Sequence, residues 1–133
     1  KQAIVDGRSI SLCFPEHRMF SSGIVGGIAP IALGLAQSLQ WRERDSHSHH
    51  SRVHVFLGDM SAKAGIVREC MDYGVRHRLP IDWVIEDNGT SICTPTEESW
   101  GIAGKSYEIS AHTYYYSYKM ERPHVGIGRF VRF

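Results

Sequence analysis

The order of apolar and polar positions along the chain predicts alternating helices and strands. Small and apolar residues over 29–40 favour a buried helix, which follows a tight glycine loop over 21–28. Residues 53–57 form a short apolar run rich in β-branched side chains, which is typical of a buried strand. Residues 61–78 place apolar side chains three and four positions apart, as a helix does, and residues 81–85 repeat the strand pattern. The middle of the chain is therefore predicted to run helix, strand, helix, strand.

This order of elements predicts an α/β fold. A strand, a crossover of about 20 residues and a second strand form a right-handed βαβ unit, which places both strands in one parallel sheet. Aromatic content predicts a further strand within residues 112–119, and residues 129–133 are expected to form a final edge strand. Residues 94–101 are predicted to be a loop or the start of a short helix. We expect one domain over residues 1–133, with three layers: a mostly parallel sheet and helices on both faces.

Composition limits the class of protein. The chain has 133 residues, 42% hydrophobic and 22% charged, so it can bury a core and is not a disordered segment. Its formal net charge of +1 gives no reason to expect a nucleic-acid or membrane partner. The three cysteines form no Cys-x-x-Cys pair, which is typical of a reduced compartment, and the first residues lack the apolar run of a signal peptide. These features predict a cytoplasmic protein.

Polar residues follow both buried strands, at the point where each predicted strand ends. Gly58-Asp59-Met60-Ser61 follows the first strand, and Glu86-Asp87-Asn88-Gly89-Thr90 follows the second. Because the carboxyl ends of parallel strands share one edge of a sheet, we expect Asp59 and Asn88 to converge. Their oxygens suit Mg²⁺, and free backbone N–H groups at Ser61 suit a phosphate. These residues favour a metal–diphosphate site, although a helix cap and an Asx turn would use the same side chains.

The spacing of the two motifs resembles the GDG…NN motif of thiamine diphosphate-dependent enzymes. Asp59 and Asn88 stand 29 positions apart in the chain. Gly65 and Glu69 also match the dehydrogenase alpha subunits and transketolases of this family. The resemblance implies that Asp59 and Asn88 bind Mg²⁺ by their side chains, and that Thr90 binds it by its backbone carbonyl.

A second, upstream segment is similar to the alpha subunits of 2-oxoacid dehydrogenases. It consists of GIVGG at residues 23–27, followed by PIALG at residues 30–34. The resemblance implies that Gly23, Ile24 and Val25 bind the cofactor, with the backbones of Gly23 and Val25 against its aminopyrimidine.

The same resemblance assigns the diphosphate end of the cofactor. It implies that Gly58, Met60 and Ser61 bind the cofactor, with the backbone N–H groups of Met60 and Ser61 on the diphosphate. It also implies that His124 is a catalytic residue near the diphosphate. Two positions depart from the family pattern. Met60 replaces the third glycine of the first motif and would crowd the diphosphate, and Asp87 replaces the first asparagine of the second.

The resemblance implies a Mg²⁺- and thiamine diphosphate-dependent oxidoreductase subunit. It would act on a 2-oxoacid, by decarboxylation or by transfer of the resulting carbon unit. In this family a glutamate on a separate pyrimidine-binding module activates the cofactor, and 133 residues are too few for both modules. We therefore expect a beta-type partner subunit that supplies this glutamate in an α2β2 hetero-oligomer. Two alternatives stay open: the amino-terminal half of a split transketolase, and a catalytically silent α/β assembly subunit in which Met60 marks the loss of function.

Several other residues have a structural interpretation. Glu69 is expected to be a buried network carboxylate rather than the acid that activates the cofactor ring. Cys70 and Cys93 are expected to be packing residues. The histidines at residues 47–50 are expected in a solvated loop. The tyrosines at residues 114–118 are expected to pack one face of their strand and to leave the other for an interface.

Overall fold

A computed structural model describes residues 2–8, 11–44, 51–101, 110 and 112–120 of the chain. The middle of the chain, residues 28–87, runs helix, strand, two helices, strand, where the sequence predicts helix, strand, helix, strand. In chain order, the elements are α1 (Gln2–Val5), β1 (Cys13–Phe14), β2 (Met19–Phe20), α2 (Ile28–Arg42), β3 (Val53–Gly58), α3 (Asp59–Ala62), α4 (Gly65–Arg76), β4 (Ile81–Asp87), β5 (Thr90–Ser91), β6 (Thr94–Pro95), α5 (Thr96–Trp100) and β7 (Thr113–Ser117). The histidine-rich loop at 47–50 and the predicted edge strand at 129–133 lie outside the described residues.

Three parallel strands form the central sheet, in the order β3-β4-β7. The pairing of β3 with β4 runs from Val53 opposite Ile81 to Gly58 opposite Glu86, and β7 joins the other edge of β4. The predicted parallel sheet is confirmed, including the strand expected from aromatic content. Because the strands run in the same direction, their carboxyl ends lie at one edge of the sheet and their amino ends at the opposite edge.

The hydrophobic core lies between one face of this sheet and the helices α2 and α4. Three alanines of α2 recur along one stripe, and their small side chains let the helix backbone approach the strands closely. Trp83, near the middle of β4, is the largest fully buried side chain and is 1% exposed. The buried cluster consists of Ala29, Ala32, Ala36, Val55, Leu57, Ala62, Val67, Cys70, Leu79, Ile81, Trp83 and Ile85.

The opposite face of the sheet carries aromatic side chains that are exposed in the described part of the chain. Phe56 lies beside Val84, and Val84 beside Tyr114, so the three form one row across the strands. Phe56 is 60% exposed and Tyr114 is 56% exposed. Tyr115 turns the other way and packs against the core, which confirms that the tyrosine strand has one packed face. A second helical layer over the open face stays a prediction.

The helices depart from the sequence expectation in two places. The helix predicted over 61–78 is two helices, because Ala64 adopts an extended backbone (ψ 137°) between α3 and α4. This break lets the chain reverse direction after β3. The helix predicted over 29–40 extends to Arg42, and it begins after the N-cap Gly27 without a side-chain cap. Among the described helices, none combines the length and apolar character needed to cross a membrane.

An ion pair between the exposed Arg52 and the buried Asp82 joins the strands at the amino-terminal edge of the sheet. The Arg52 guanidinium donates from Nε and Nη2 to the two carboxylate oxygens of Asp82, at 2.7 and 2.6 Å. The Nδ1 atoms of His54 and His112 lie 3.3 and 3.4 Å from the same carboxylate. The hydrogen bond from Arg52 lowers the pKa of the Asp82 carboxyl below its ordinary value. This cluster fixes the start of β4 against the residues that precede β3 and β7.

The ion pair of Arg52 and Asp82 predicts a pH-dependent contribution to stability. Asp82→Asn should lower the free energy of unfolding at pH 7 by about 1–2 kcal/mol, because Arg52 loses a charge-assisted hydrogen bond but keeps contact with water. Since folding lowers the pKa of Asp82, this contribution is complete above the unfolded-state pKa of about 3.9. It is lost as the pH falls from there through the folded-state value. Urea denaturation at several pH values measures the difference between the two proteins.

A matched control is Asp72→Asn, which breaks the exposed 2.8 Å pair with Arg76 on the surface of α4. This variant should lose no more than about 0.5 kcal/mol of the free energy of unfolding. Equal losses in the two variants would contradict the assignment of Asp82 as a structural centre of this edge.

Replacement by alanine should affect stability differently at two helical glycines. An added Cβ at Gly34 meets nothing within 4 Å, so Gly34→Ala should stabilise the chain by about 0.5–1 kcal/mol. A Cβ at Gly74 would lie 3.3 Å from Ile81 Cγ2 and 3.6 Å from Leu33 Cδ1. Crowding should therefore leave Gly74→Ala about 1–2 kcal/mol less stable than Gly34→Ala. Thermal unfolding compares the two variants, and equal gains would show that α4 can move away from the sheet.

Candidate functional site

The two polar motifs meet at the carboxyl-terminal edge of the sheet. Gly58 ends β3 opposite Glu86, so Asp59, the first residue of α3, emerges next to the end of β4. Asp59 is 2% exposed. Thr96 joins the two motifs, because its hydroxyl donates to Asp59 Oδ2 at 2.5 Å and its backbone N–H donates to the Gly89 carbonyl at 3.0 Å. One residue therefore ties the end of β3 to the turn that follows β4.

The second motif forms a tight turn stabilised by its own side chains. Asp87 Oδ1 accepts the Gly89 N–H at 2.8 Å, and Asn88 Oδ1 accepts the Thr90 N–H at 3.0 Å. Gly89 has φ +76°, a conformation that favours glycine. The Asx turn considered from the sequence is thus present. An amide oxygen has two lone pairs, so this turn leaves Asn88 Oδ1 able to accept a second partner.

One buried oxygen atom at this edge makes no hydrogen bond within the described residues. Thr90 Oγ1 is buried and has no hydrogen-bond partner among the described residues. Buried polar atoms are nearly always paired, so this position suits a further polar group. No group of three or more histidine, cysteine or acidic residues in the described ranges could hold a metal ion. A cation here would instead need amide and backbone oxygens beside the Asp59 carboxylate, a donor set that suits Mg²⁺.

Buried charges surround the turn. Asp59 and Asp87 are both buried, as is Lys63 at the end of α3, which is 7% exposed. Burial lowers the pKa of the Lys63 ammonium, Arg68 adds to the effect, and Asp87 opposes it. The Tyr115 hydroxyl donates to Asp87 Oδ2, so β7 helps to orient this carboxylate. Two buried carboxylates and one buried ammonium therefore lie together at this edge.

The first turn of α3 presents the residues expected to bind a diphosphate. α3 begins after Gly58, whose backbone is extended (ψ 156°), and no side chain caps it. Met60 and Ser61 are half-buried. The Trp100 indole Nε1–H donates to Met60 Sδ at 3.1 Å. A side chain from α5 therefore contacts the residue that stands where the family motif has glycine.

The glycine loop predicted to bind the cofactor packs against the start of α4. Gly26 has φ +72°, and a Cβ there would lie 3.0 Å from Ile66 Cγ2 and 3.1 Å from Val67 Cγ2. The preceding residues Gly23, Ile24 and Val25 are exposed. The Gly23 N–H donates to Ser11 Oγ and the Ile24 N–H to Ser22 Oγ, both at 3.2 Å. The loop therefore follows a defined path beside the helix pair that begins with Asp59.

Other residues singled out from the sequence do not join this group. His124 lies outside the described residues. The expectation of a buried Glu69 is wrong, because α4 turns Val67 and Cys70 to the core and leaves Glu69 exposed.

Cys70 and Cys93 differ in burial. Cys70 is buried as predicted, and burial raises the pKa of its thiol. The expectation that Cys93 packs in the interior is wrong, because it lies exposed in the turn between β5 and β6.

Sequence reasoning missed the contacts made by α5. Thr96 and Trp100 contact Asp59 and Met60, yet their segment is polar and has no periodic pattern. The one available signal is their separation of four residues, which places both side chains on one face of a helix. Lys63 and Tyr115 were likewise not identified, since only the sheet pairing brings Tyr115 to Asp87.

Comparison with known proteins gives a curated relative for most of the chain. No protein-family model matches the chain. Over 94 residues the chain is 32% identical to pyruvate dehydrogenase E1 component subunit alpha of Zymomonas mobilis subsp. mobilis, a match that covers 70% of this chain and 25% of that protein. The chain thus spans about a quarter of the length of the relative it matches. Most of the chain is similar to part of a pyruvate dehydrogenase alpha subunit.

Proposed function

We propose that this chain supplies the diphosphate-binding part of a Mg²⁺- and thiamine diphosphate-dependent enzyme that acts on a 2-oxoacid. One observation carries the proposal. A chain similar to a pyruvate dehydrogenase alpha subunit places Asp59 and Asn88 directly after neighbouring parallel strands, at one edge of the sheet. Ligands of open α/β sheets bind at this edge.

The proposed metal ligands are the side chains of Asp59 and Asn88 and the backbone carbonyl of Thr90. The burial of the Asp59 side chain at this edge and the second lone pair of Asn88 Oδ1 support this assignment. All three are hard oxygen donors, and the remaining octahedral positions suit diphosphate oxygens and water. We assign the diphosphate to the backbone N–H groups of Met60 and Ser61.

The residues of this chain would bind and orient the cofactor. When bound, thiamine diphosphate supplies a carbanion that attacks the 2-oxoacid carbonyl and an electron sink for decarboxylation. Gly23, Ile24 and Val25 would hold its aminopyrimidine end by backbone contacts. His124, outside the described residues, is assigned to the diphosphate.

The activating glutamate is expected on a separate beta-type subunit, in an α2β2 assembly. The exposed glycine loop supports this part of the proposal, because Ile24 is 75% and Val25 68% exposed. Large apolar side chains at the surface are typical of sites that another surface covers.

Met60 favours a second candidate function, a catalytically silent assembly subunit. Its side chain occupies the motif position where a glycine gives a diphosphate free access to the backbone. Cofactor binding separates this candidate from the enzyme subunit.

We expect thiamine diphosphate to bind only in the presence of Mg²⁺. Isothermal titration of the chain, co-purified with any subunit it recruits, should give a Kd near 1 μM, or about −8 kcal/mol. The same titration with the metal chelated is the control. Binding that ignores the metal would contradict the proposed ligand set, and no binding in either condition would favour the silent subunit.

Asn88→Ala should weaken Mg²⁺-dependent binding of thiamine diphosphate at least tenfold, since it removes one proposed metal ligand. It also removes one turn hydrogen bond, so its unfolding temperature must be measured beside the affinity. Asn88→Asp keeps an oxygen in the same place and should retain most of the affinity. If Asn88→Ala binds as tightly as the unaltered chain, Asn88 is not a ligand.

A further inference from the structure

Met60 raises a steric question that the proposed function does not answer. The proposed diphosphate contacts are the N–H groups of Met60 and Ser61, so the side chain of Met60 starts at the binding position itself. A methionine side chain has three rotatable bonds and can take many shapes. Unless something holds it, it competes with the diphosphate for the space in front of these N–H groups.

The indole of Trp100 makes a contact that can hold the Met60 side chain in one conformation. Trp100 Nε1 donates to Met60 Sδ at 3.1 Å, and the thioether sulfur is the one polar atom of the Met60 side chain. Met60 is half-buried and Trp100 is 46% exposed, so the contact lies at the surface of the site rather than in the core.

The position of Trp100 is set independently of Met60. α5 is fixed at its start by the two hydrogen bonds of Thr96, to Asp59 Oδ2 at 2.5 Å and to the Gly89 carbonyl at 3.0 Å. It ends at Gly101, which has φ +60°. Because Thr96 and Trp100 are four residues apart, the two side chains share one face of α5. They contact the consecutive motif residues Asp59 and Met60.

We infer that Trp100 is a positioning residue that holds the Met60 side chain out of the diphosphate path, and so makes methionine compatible with cofactor binding at this motif position. This inference rests on the proposed function. It gives α5 two roles at the site, because Thr96 orients the proposed metal-binding carboxylate and Trp100 clears the neighbouring diphosphate position.

A double-mutant cycle tests the inference. The measured quantity is the Kd of thiamine diphosphate with Mg²⁺ for the chain and any subunit it recruits, in the unaltered protein, Trp100→Phe, Met60→Gly and the double variant. Trp100→Phe should raise the Kd about tenfold, because phenylalanine keeps the ring but has no N–H donor. In the Met60→Gly background the same change should alter the Kd less than about twofold. A merely structural role for Trp100 would weaken binding equally in both backgrounds and would overturn the inference.

Met60→Leu tests the sulfur itself. Leucine keeps the apolar volume but cannot accept the indole hydrogen bond. It should raise the Kd as much as Trp100→Phe does, and Trp100→Phe should add no further loss in that background. Unfolding temperatures of all variants identify any that lose the fold.

The cycle also separates failure of the inference from failure of the proposed function. If the unaltered chain does not bind the cofactor but Met60→Gly does, the site exists and Trp100 does not clear it, which overturns the inference alone. If neither binds, the proposed cofactor site is wrong and the inference falls with it. If the unaltered chain binds the cofactor and Trp100→Phe leaves the Kd unchanged, the inference is also overturned.

Discussion

The parallel pairing of β3 with β4 is the constraint on which the rest of the structure depends. The register that puts Gly58 opposite Glu86 also brings the residues after both strands to one edge. A slip of one residue would turn every side chain of a strand to the other face and would bury Phe56 in place of Val55 and Leu57. The packing of the core and the meeting of the two polar motifs are therefore consequences of the same register.

The two edges of the sheet are built from different chemistry. At the amino-terminal edge, opposite charges are matched: Arg52 neutralises Asp82 with two short hydrogen bonds. At the carboxyl-terminal edge, the buried charged side chains in the described part of the chain are those of Asp59, Asp87 and Lys63. The first arrangement is complete within the chain, and its role is structural. The second includes a buried hydroxyl without a partner among the described residues, and it is the edge to which we assign the proposed cation.

The sequence predicts most of the sheet and part of the site. Apolar runs identify β3 and β4, because strands buried in a parallel sheet need continuous apolar side chains. The structure extends β4 to Asp87, since backbone pairing continues beyond the last apolar residue. The helical periodicity does not reveal the break at Ala64, because the apolar spacing continues on both sides of it. Thr96 and Trp100 act through contacts with residues nearly 40 positions away, and no local pattern encodes these.

The open face of the sheet has a consequence for how this chain behaves in water. Phe56, Val84 and Tyr114 lie in one row across three strands, and two of them are more than half exposed. Covering such a row is favourable, at roughly 25 cal/mol for each Å² of apolar surface removed from water. This exposed apolar row is separate from the polar edge that carries Asp59. A surface that covers the row therefore need not obstruct small molecules at the polar edge. Contacts at the apolar row and binding at the polar edge can therefore change independently in this fold.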